Sequence, residues 1–306
     1  MRSLPNRRAG RRRVVVVGAG GFIGRPLCER LRSEGAQVVA ATRDSPPLVG
    51  ADGAPVPELR EAEVVYHLAS SVTPGEAQSR PERVAADREM FNGLLDALAT
   101  VDRPPLVVLS STGLTVCESG DAAPCTEDSL AAPKSAYAKA KLAMEDDLLS
   151  RGAHVPGVVL RMTNVYGPGH RLRRGYGVVA HWLHAAAQDR PLDLYGNVET
   201  TRDYVYIDDV VTAMAELGPE TADLPFSVFN IGAGEATSLG RLLTLIRNVT
   251  GRELTVRLRP GRGFDHPTAL LDVRRARRLL GWQARTPLAA GLEQVWRGLP
   301  RSEAAS

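Results

Sequence analysis

Lysine is nearly absent from this chain. Of 38 basic residues only Lys134, Lys139 and Lys141 are lysines, and the rest are arginines. Where arginine is the default cation, a lysine that remains can serve chemistry needing a compact ammonium of tunable pKa, which a guanidinium cannot supply. Cysteine is scarce too. Cys28, Cys117 and Cys125 are odd in number and form no CxxC pair, so neither a disulfide framework nor a zinc site is expected. Aromatic residues make up 5% of the chain. No apolar run approaches the ~18–20 residues of a membrane span. The basic start lacks the apolar segment of about 7–15 residues that a secretory signal requires. The expected location is therefore cytoplasmic, with no membrane partner.

The 306 residues are 43% hydrophobic and 24% charged, a composition that folds. Net charge is +3, but residues 1–13 hold six arginines and no acid, so the remainder is net negative. A basic disordered tail at 1–13 is the simplest reading, and a negative body makes a poor nucleic-acid binder.

Short β-branched runs alternate with amphipathic stretches. Strands are expected at Arg12–Gly18, Gln37–Thr42, Glu63–Leu68, Leu106–Ser111 and Val155–Met162. Helices are expected at Phe22–Ser33, Pro81–Thr100 and Ser135–Ser150. Continuous apolar strands separated by helices predict a doubly wound α/β fold with a parallel sheet. After about Asn164 Gly and Pro punctuate the pattern and helices shorten. This marks a smaller α/β C-terminal substrate domain. The expected division is 14–165 plus about 203–232 for a dinucleotide-binding domain, and about 166–202 plus 233–306 for the other.

VVVVGAGGFIG runs from Val14 to Gly24 and places Gly18, Gly21 and Gly24 between the first strand and first helix. Gly18 permits a tight turn, Gly21 close approach of backbone to a pyrophosphate, and Gly24 helix–sheet contact. The end of the second strand reports on the ribose. A carboxylate there bonds the 2′-OH of NAD, whereas an arginine accommodates the 2′-phosphate of NADP. Here Thr42 is followed by Arg43, which favours NADP(H). Asp44 keeps NAD(H) open.

Tyr137 and Lys141 form YxxxK, one helical turn apart and on one face. An ammonium beside a phenol favours its ionised form, and the pair can move a proton while hydride moves to or from a nicotinamide. Thr112 ends the preceding strand and offers a hydroxyl to that proton.

With these motifs the chain resembles the extended short-chain dehydrogenase/reductases, and within them the nucleotide-sugar epimerase/dehydratase/ketoreductase family. VVYHLAS (Val64–Ser70), SST (Ser110–Thr112), YAKAK (Tyr137–Lys141), LRMTNVYGPG (Leu160–Gly169), TRDYVYIDDV (Thr201–Val210), FNIGAG (Phe229–Gly234) and LLGW (Leu279–Trp282) follow in the family's order. The resemblance implies Thr112, Tyr137 and Lys141 as the catalytic set and a nucleotide-diphosphate sugar as substrate. Asn164 would face the diphosphate, Tyr195 the base, Arg202 a phosphate, and Arg262 and Asp265 the nucleotide. Phe22, Ile23, Leu68 and Ala69 join the glycines, Thr42, Arg43, Tyr137 and Lys141 as cofactor contacts. A homodimer is a family expectation.

Departures narrow the reading. Gly113 and Leu114 follow Thr112 where the family's dehydratases carry Asp-Glu, so elimination of water is not expected. Asp87 stands where many members have Asn. No third strand is evident in Asp44–Ala62. His181 and His184 lack a third ligand, so no metal is expected. Hydride chemistry at C4 of the sugar remains, as an NADPH-dependent 4-ketoreductase or a redox-neutral, NAD-dependent 4-epimerase. A non-catalytic dinucleotide sensor is the rival of another class.

Overall fold

A computed structural model describes residues 12–117, 124–173, 176–225, 227–261 and 268–300. In chain order the elements begin β1 (Arg13–Val17), α1 (Gly24–Ser33), β2 (Gln37–Ala41), α2 (Pro57–Arg60), β3 (Val64–His67), α3 (Pro81–Leu98) and β4 (Leu106–Thr112). They continue α4 (Leu114–Cys117), α5 (Ala136–Leu149), β5 (Gly157–Met162), β6 (Asn164–Tyr166), α6 (Val178–Ala187), β7 (Leu192–Tyr195), β8 (Thr201–Arg202), β9 (Tyr204–Tyr206) and α7 (Ile207–Ala215). The last are β10 (Val228–Ile231), β11 (Thr237–Ser238), α8 (Leu239–Thr250), β12 (Val256–Arg259), β13 (Thr268–Ala269), α9 (Arg274–Leu279) and α10 (Leu288–Arg297).

Six strands form one parallel sheet in the order β10-β5-β4-β3-β1-β2. Val14–Val16, Val64–Tyr66 and Leu106–Leu109 are buried, as expected of strands covered on both faces. One cluster joins Leu27 and Leu31 of α1 to Val14 and Val16. The opposite face joins Phe91, Leu95 and Leu98 of α3 to Val15 and Val65. Each fully buried Leu or Phe contributes about 1.5–3 kcal/mol. This is the Rossmann arrangement expected from the alternating pattern.

Strand order reverses between β1 and β3, and in an open α/β sheet ligands bind at the carboxyl ends of the strands flanking that reversal. The connection from β2 to β3 holds only the four-residue α2 and a bridge between Val49 and Pro55, so no further strand lies there. β2 is therefore an edge strand. Small two- and three-stranded sheets (β11-β8-β13, β12-β7, β6-β9) build the rest, with α6, α8 and α10.

Two sequence expectations change. Arg12 and Arg13, counted with the basic tail, belong to the fold. Arg13 opens β1, and Arg12 donates to the carbonyls of Ala215, at 3.1 Å, and Leu217 beyond the end of α7. Unsatisfied carbonyls at a helix C-terminus favour such a cation. Residues 1–11 lie outside the described residues. Cys28 is a buried free thiol, but Cys125 is disulfide-bonded, which the cysteine spacing gave no reason to expect. Among the described residues no helix is long and apolar enough to cross a membrane, and no His/Cys/Asp/Glu group could hold a metal.

Candidate active site

The glycine turn is built by close contact. Gly18 has φ +90°, and a Cβ there would lie 2.8 Å from the Ala69 nitrogen. A Cβ on Gly24 would lie 2.2 Å from the Gly18 carbonyl oxygen, and one on Gly21 3.0 Å from it. No side chain fits at Gly18 or Gly24. The Gly18 and Ala19 N–H groups donate to the Ala41 carbonyl, at 2.9 and 3.1 Å, tying the turn to β2. Helix α1 starts at Gly24 with no side-chain cap, so its first N–H groups and positive dipole end face the turn. Phe22 and Ile23 are half-buried, as are Leu68 and Ala69 across the switch point. This cradle suits a dinucleotide pyrophosphate, and the bound group would supply or accept hydride.

Thr42 follows β2 directly. Its N–H donates to Ser45 Oγ at 3.0 Å, and its hydroxyl lies 3.2 Å from the same oxygen. Thr42, Arg43 and Asp44 are exposed.

Ser135 caps α5 by accepting from the Ala138 N–H, which fixes the first turn and with it Tyr137. Lys141 follows one turn later, its Nζ 6.0 Å from the Tyr137 ring centre. Lys141 is buried and donates to the Ser110 carbonyl at 2.9 Å, locking α5 against the end of β4. Thr112, half-buried, is the last residue of β4. Its Oγ1 accepts from the Leu114 N–H at 3.3 Å, which leaves its own O–H for another acceptor. The structure thus places Tyr137 and Lys141 together on α5 and holds Lys141 against Ser110, two residues before Thr112 on β4.

Burial, not the neighbouring ammonium, dominates Tyr137. It raises the phenol above its ordinary range, with Tyr176 and Asp87 adding to the effect. The phenol is a proton donor in this state, whereas the sequence led us to expect a lowered value. Burial lowers Lys141 to about 8, opposed by Asp87 and Glu145. At neutral pH most of it remains ammonium.

The sequence reading missed what stands behind this pair. Glu145, one turn beyond Lys141, is 1% exposed and accepts two hydrogen bonds from Arg161, at 2.7 and 3.0 Å, and a third from the Ser111 hydroxyl. The i,i+4 spacing from Lys141 was the available signal. His170, just past the YGPG motif, is also buried. It stacks on Phe22, ring centres 4.3 Å apart and planes 16° apart, so the glycine turn touches the C-terminal half. Burial lowers it to about 4. His67 is 1% exposed, lies against the Phe91 ring and has both ring nitrogens unpaired. Burial and the nearby Lys141 lower it to about 3, so it is neutral.

Among the remaining candidates, Asn164 is exposed at the head of β6 and donates from Nδ2 to the Asp203 carbonyl at 3.0 Å. Tyr195 is 40% exposed at the end of β7, and Arg202 donates to the Thr201 carbonyl. Arg262 and Asp265 lie outside the described residues. The Asp203 side chain accepts from the N–H groups of Ala233 and Gly234, at 2.9 and 3.1 Å, and is fully buried. Burial raises it to about 7. Asp209 accepts from the N–H groups of Arg285 and Thr286, at 3.1 and 3.0 Å, clamping the segment before α10. Beyond Thr112, a Cβ on Gly113 would meet the buried Leu271 at 2.8 Å. Leu271 fills the space an acidic side chain would need.

A parallel six-stranded sheet with a glycine cradle at its switch point is the architecture of a dinucleotide-binding protein. The chain belongs to the NAD dependent epimerase/dehydratase family, whose model matches residues 14–232. It is 32% identical to a UDP-glucose 4-epimerase of Mycolicibacterium smegmatis, across 92% of this chain and 97% of that protein. It is 30% identical to a dTDP-6-deoxy-L-talose 4-dehydrogenase (NAD(P)(+)) of Kitasatospora kifunensis, across 93% and 94%. Among solved structures it is similar to MoeE5 in complex with UDP-glucose and NAD, with a TM-score of 0.81 and 29% identity over 93% of this chain and 97% of that one. The chain is an NAD(P)-dependent enzyme of nucleotide-sugar C4 chemistry.

Proposed function

We propose that the enzyme reduces the C4 ketone of a 4-keto (deoxy)sugar nucleotide with NADPH. The observation that carries this reading is the end of β2. Thr42, the first residue past the strand, is committed to Ser45, Arg43 stands exposed beside it, and the first carboxylate, Asp44, comes only after the arginine. Thr42, Arg43 and Asp44 are all exposed, so this end of the candidate cofactor site is open. That suits a cofactor exchanged at each turnover better than one retained.

The reacting residues are Thr112, Tyr137 and Lys141. A reduced nicotinamide held at the glycine cradle would be the source of the hydride for C4. Tyr137 gives its phenolic proton to the C4 oxygen, so the C=O becomes CH–OH, and the phenolate then regains a proton from water. Lys141 holds the nicotinamide ribose and stabilises the phenolate as it forms. Thr112 donates its free O–H to the C4 oxygen. Gly113 and Leu271 leave no acid for eliminating water. The parallel sheet carries the cofactor and the C-terminal half the nucleotide sugar, with Asn164, Tyr195, Arg202, Arg262 and Asp265 toward its nucleotide and diphosphate.

Similarity along 92% of the chain to a UDP-glucose 4-epimerase favours a second reading, in which hydride leaves C4 and returns to the other face. One assay separates the two. With NADPH and a 4-keto-6-deoxy sugar nucleotide, the reductase consumes one NADPH for each 4-hydroxy product. Unchanged NADPH together with interconversion of UDP-glucose and UDP-galactose would establish the epimerase instead.

A further inference from the structure

A small cavity opens beside the reacting pair, walled by Ser70, Val72, Asp87, Tyr137, Lys141 and Met144. Asp87 reaches it from α3, across from α5. Its carboxylate accepts from the Ser71 N–H at 2.8 Å and from the Ser70 hydroxyl at 3.3 Å, both neutral donors. The other acid near Lys141 is Glu145, and its charge is already matched by the bidentate Arg161. His67, from β3, is neutral. Tyr137 and Tyr176 are protonated phenols. Of the titratable groups around Lys141, Asp87 is thus the anion whose field is not cancelled by a paired cation among the described residues.

We infer that Asp87 is a positioning counter-charge for Lys141 of the Tyr137–Lys141 pair, holding it as an ammonium inside the cavity. The inference rests on the assignment of those two residues to the reaction. An opposite charge a few ångströms away favours the charged form of a buried lysine, and a like charge disfavours a phenolate. The field that keeps Lys141 charged also makes Tyr137 a weaker acid, so carboxylate and ammonium act on the phenol in opposite directions. Asp87 raises both groups, working against burial at Lys141 and with it at Tyr137.

Asp87→Asn tests this cleanly, because an amide oxygen can accept the same two hydrogen bonds and only the charge is lost. The chain has three lysines, so lysine labelled with carbon-13 at Cε gives three signals, and Lys141→Met assigns one of them. The titration midpoint of Lys141 is expected to fall by about one unit in Asp87→Asn. The alkaline limb of the kcat profile should move down with it, and Asp87→Glu should restore both. Asp87→Ser is a second uncharged variant should the amide perturb folding. A Lys141 midpoint that is the same with and without the charge would overturn the inference, leaving Asp87 as an anchor of the Ser70–Ser71 loop. The lysine titration needs no substrate. Failure of the reductase reading would appear separately, as absence of NADPH turnover in the wild-type enzyme.

Discussion

Tyr137 illustrates how environment sets what a side chain can do. Desolvation keeps its phenol protonated and makes it a weaker acid than a free tyrosine. Tyr137→Phe should lower kcat by about 10²–10⁴-fold, the usual contribution of a positioned acid, while NADPH affinity stays near wild type. Stopped-flow turnover and a fluorescence titration measure the two, and full activity in this variant would favour a non-catalytic sensor. His67 makes a stability prediction. Its value is about 3 in the fold against 6.5 unfolded, so between those limits the unfolded chain binds more protons, and stability falls as pH drops through that window. Asp203 works the other way. Raised from 3.8 to about 7, it gives the folded state the extra proton between those values, so its contribution falls as pH rises through them. His67→Gln should shrink the stability lost between pH 7 and pH 5 by about 2 kcal/mol, read from urea unfolding at the two pH values. An unchanged loss would mean that His67 does not titrate as its burial requires.

Among the elements, the glycine turn and helix α5 carry the site. Gly24→Ala would place a Cβ against the Gly18 carbonyl oxygen, so the turn must open. A loss of about 1–3 kcal/mol is expected, together with dinucleotide binding, checked by thermal melts and an NADPH titration. Arg161→Met would leave Glu145 buried and unpaired. That should cost about 3–5 kcal/mol, whereas Arg161→Met combined with Glu145→Leu should recover much of the stability but not the activity. Much of this was legible in the residues. The glycine spacing, YxxxK and the strand–helix alternation are local patterns, and each maps onto β1, α1, β4 and α5. The Glu145–Arg161 pair was harder to see, because Arg161 comes from β5 and meets α5 only through the tertiary fold. Tyr137 was read in the wrong direction for the same reason: sequence shows the neighbouring lysine but not the desolvation around both. His170 lay one residue past a recognised motif, and nothing local indicates that it stacks on Phe22.

Over the whole molecule, the sheet and the C-terminal half share one apolar cluster, which runs from Val14 and Leu27 to Trp182, Leu242 and Trp296. Phe22 meets His170, Asp209 clamps the chain before α10, and Arg12 ties the start of β1 to the end of α7. Removing residues 1–11 should leave turnover intact, whereas Arg12→Ala should lower Tm by losing its bonds to Ala215 and Leu217. The proposed reductase exchanges its cofactor at each turnover. The most direct test denatures the purified protein and identifies the dinucleotide released. An empty site that then binds NADPH more tightly than NADH is the predicted result, and stoichiometric bound NAD would contradict it.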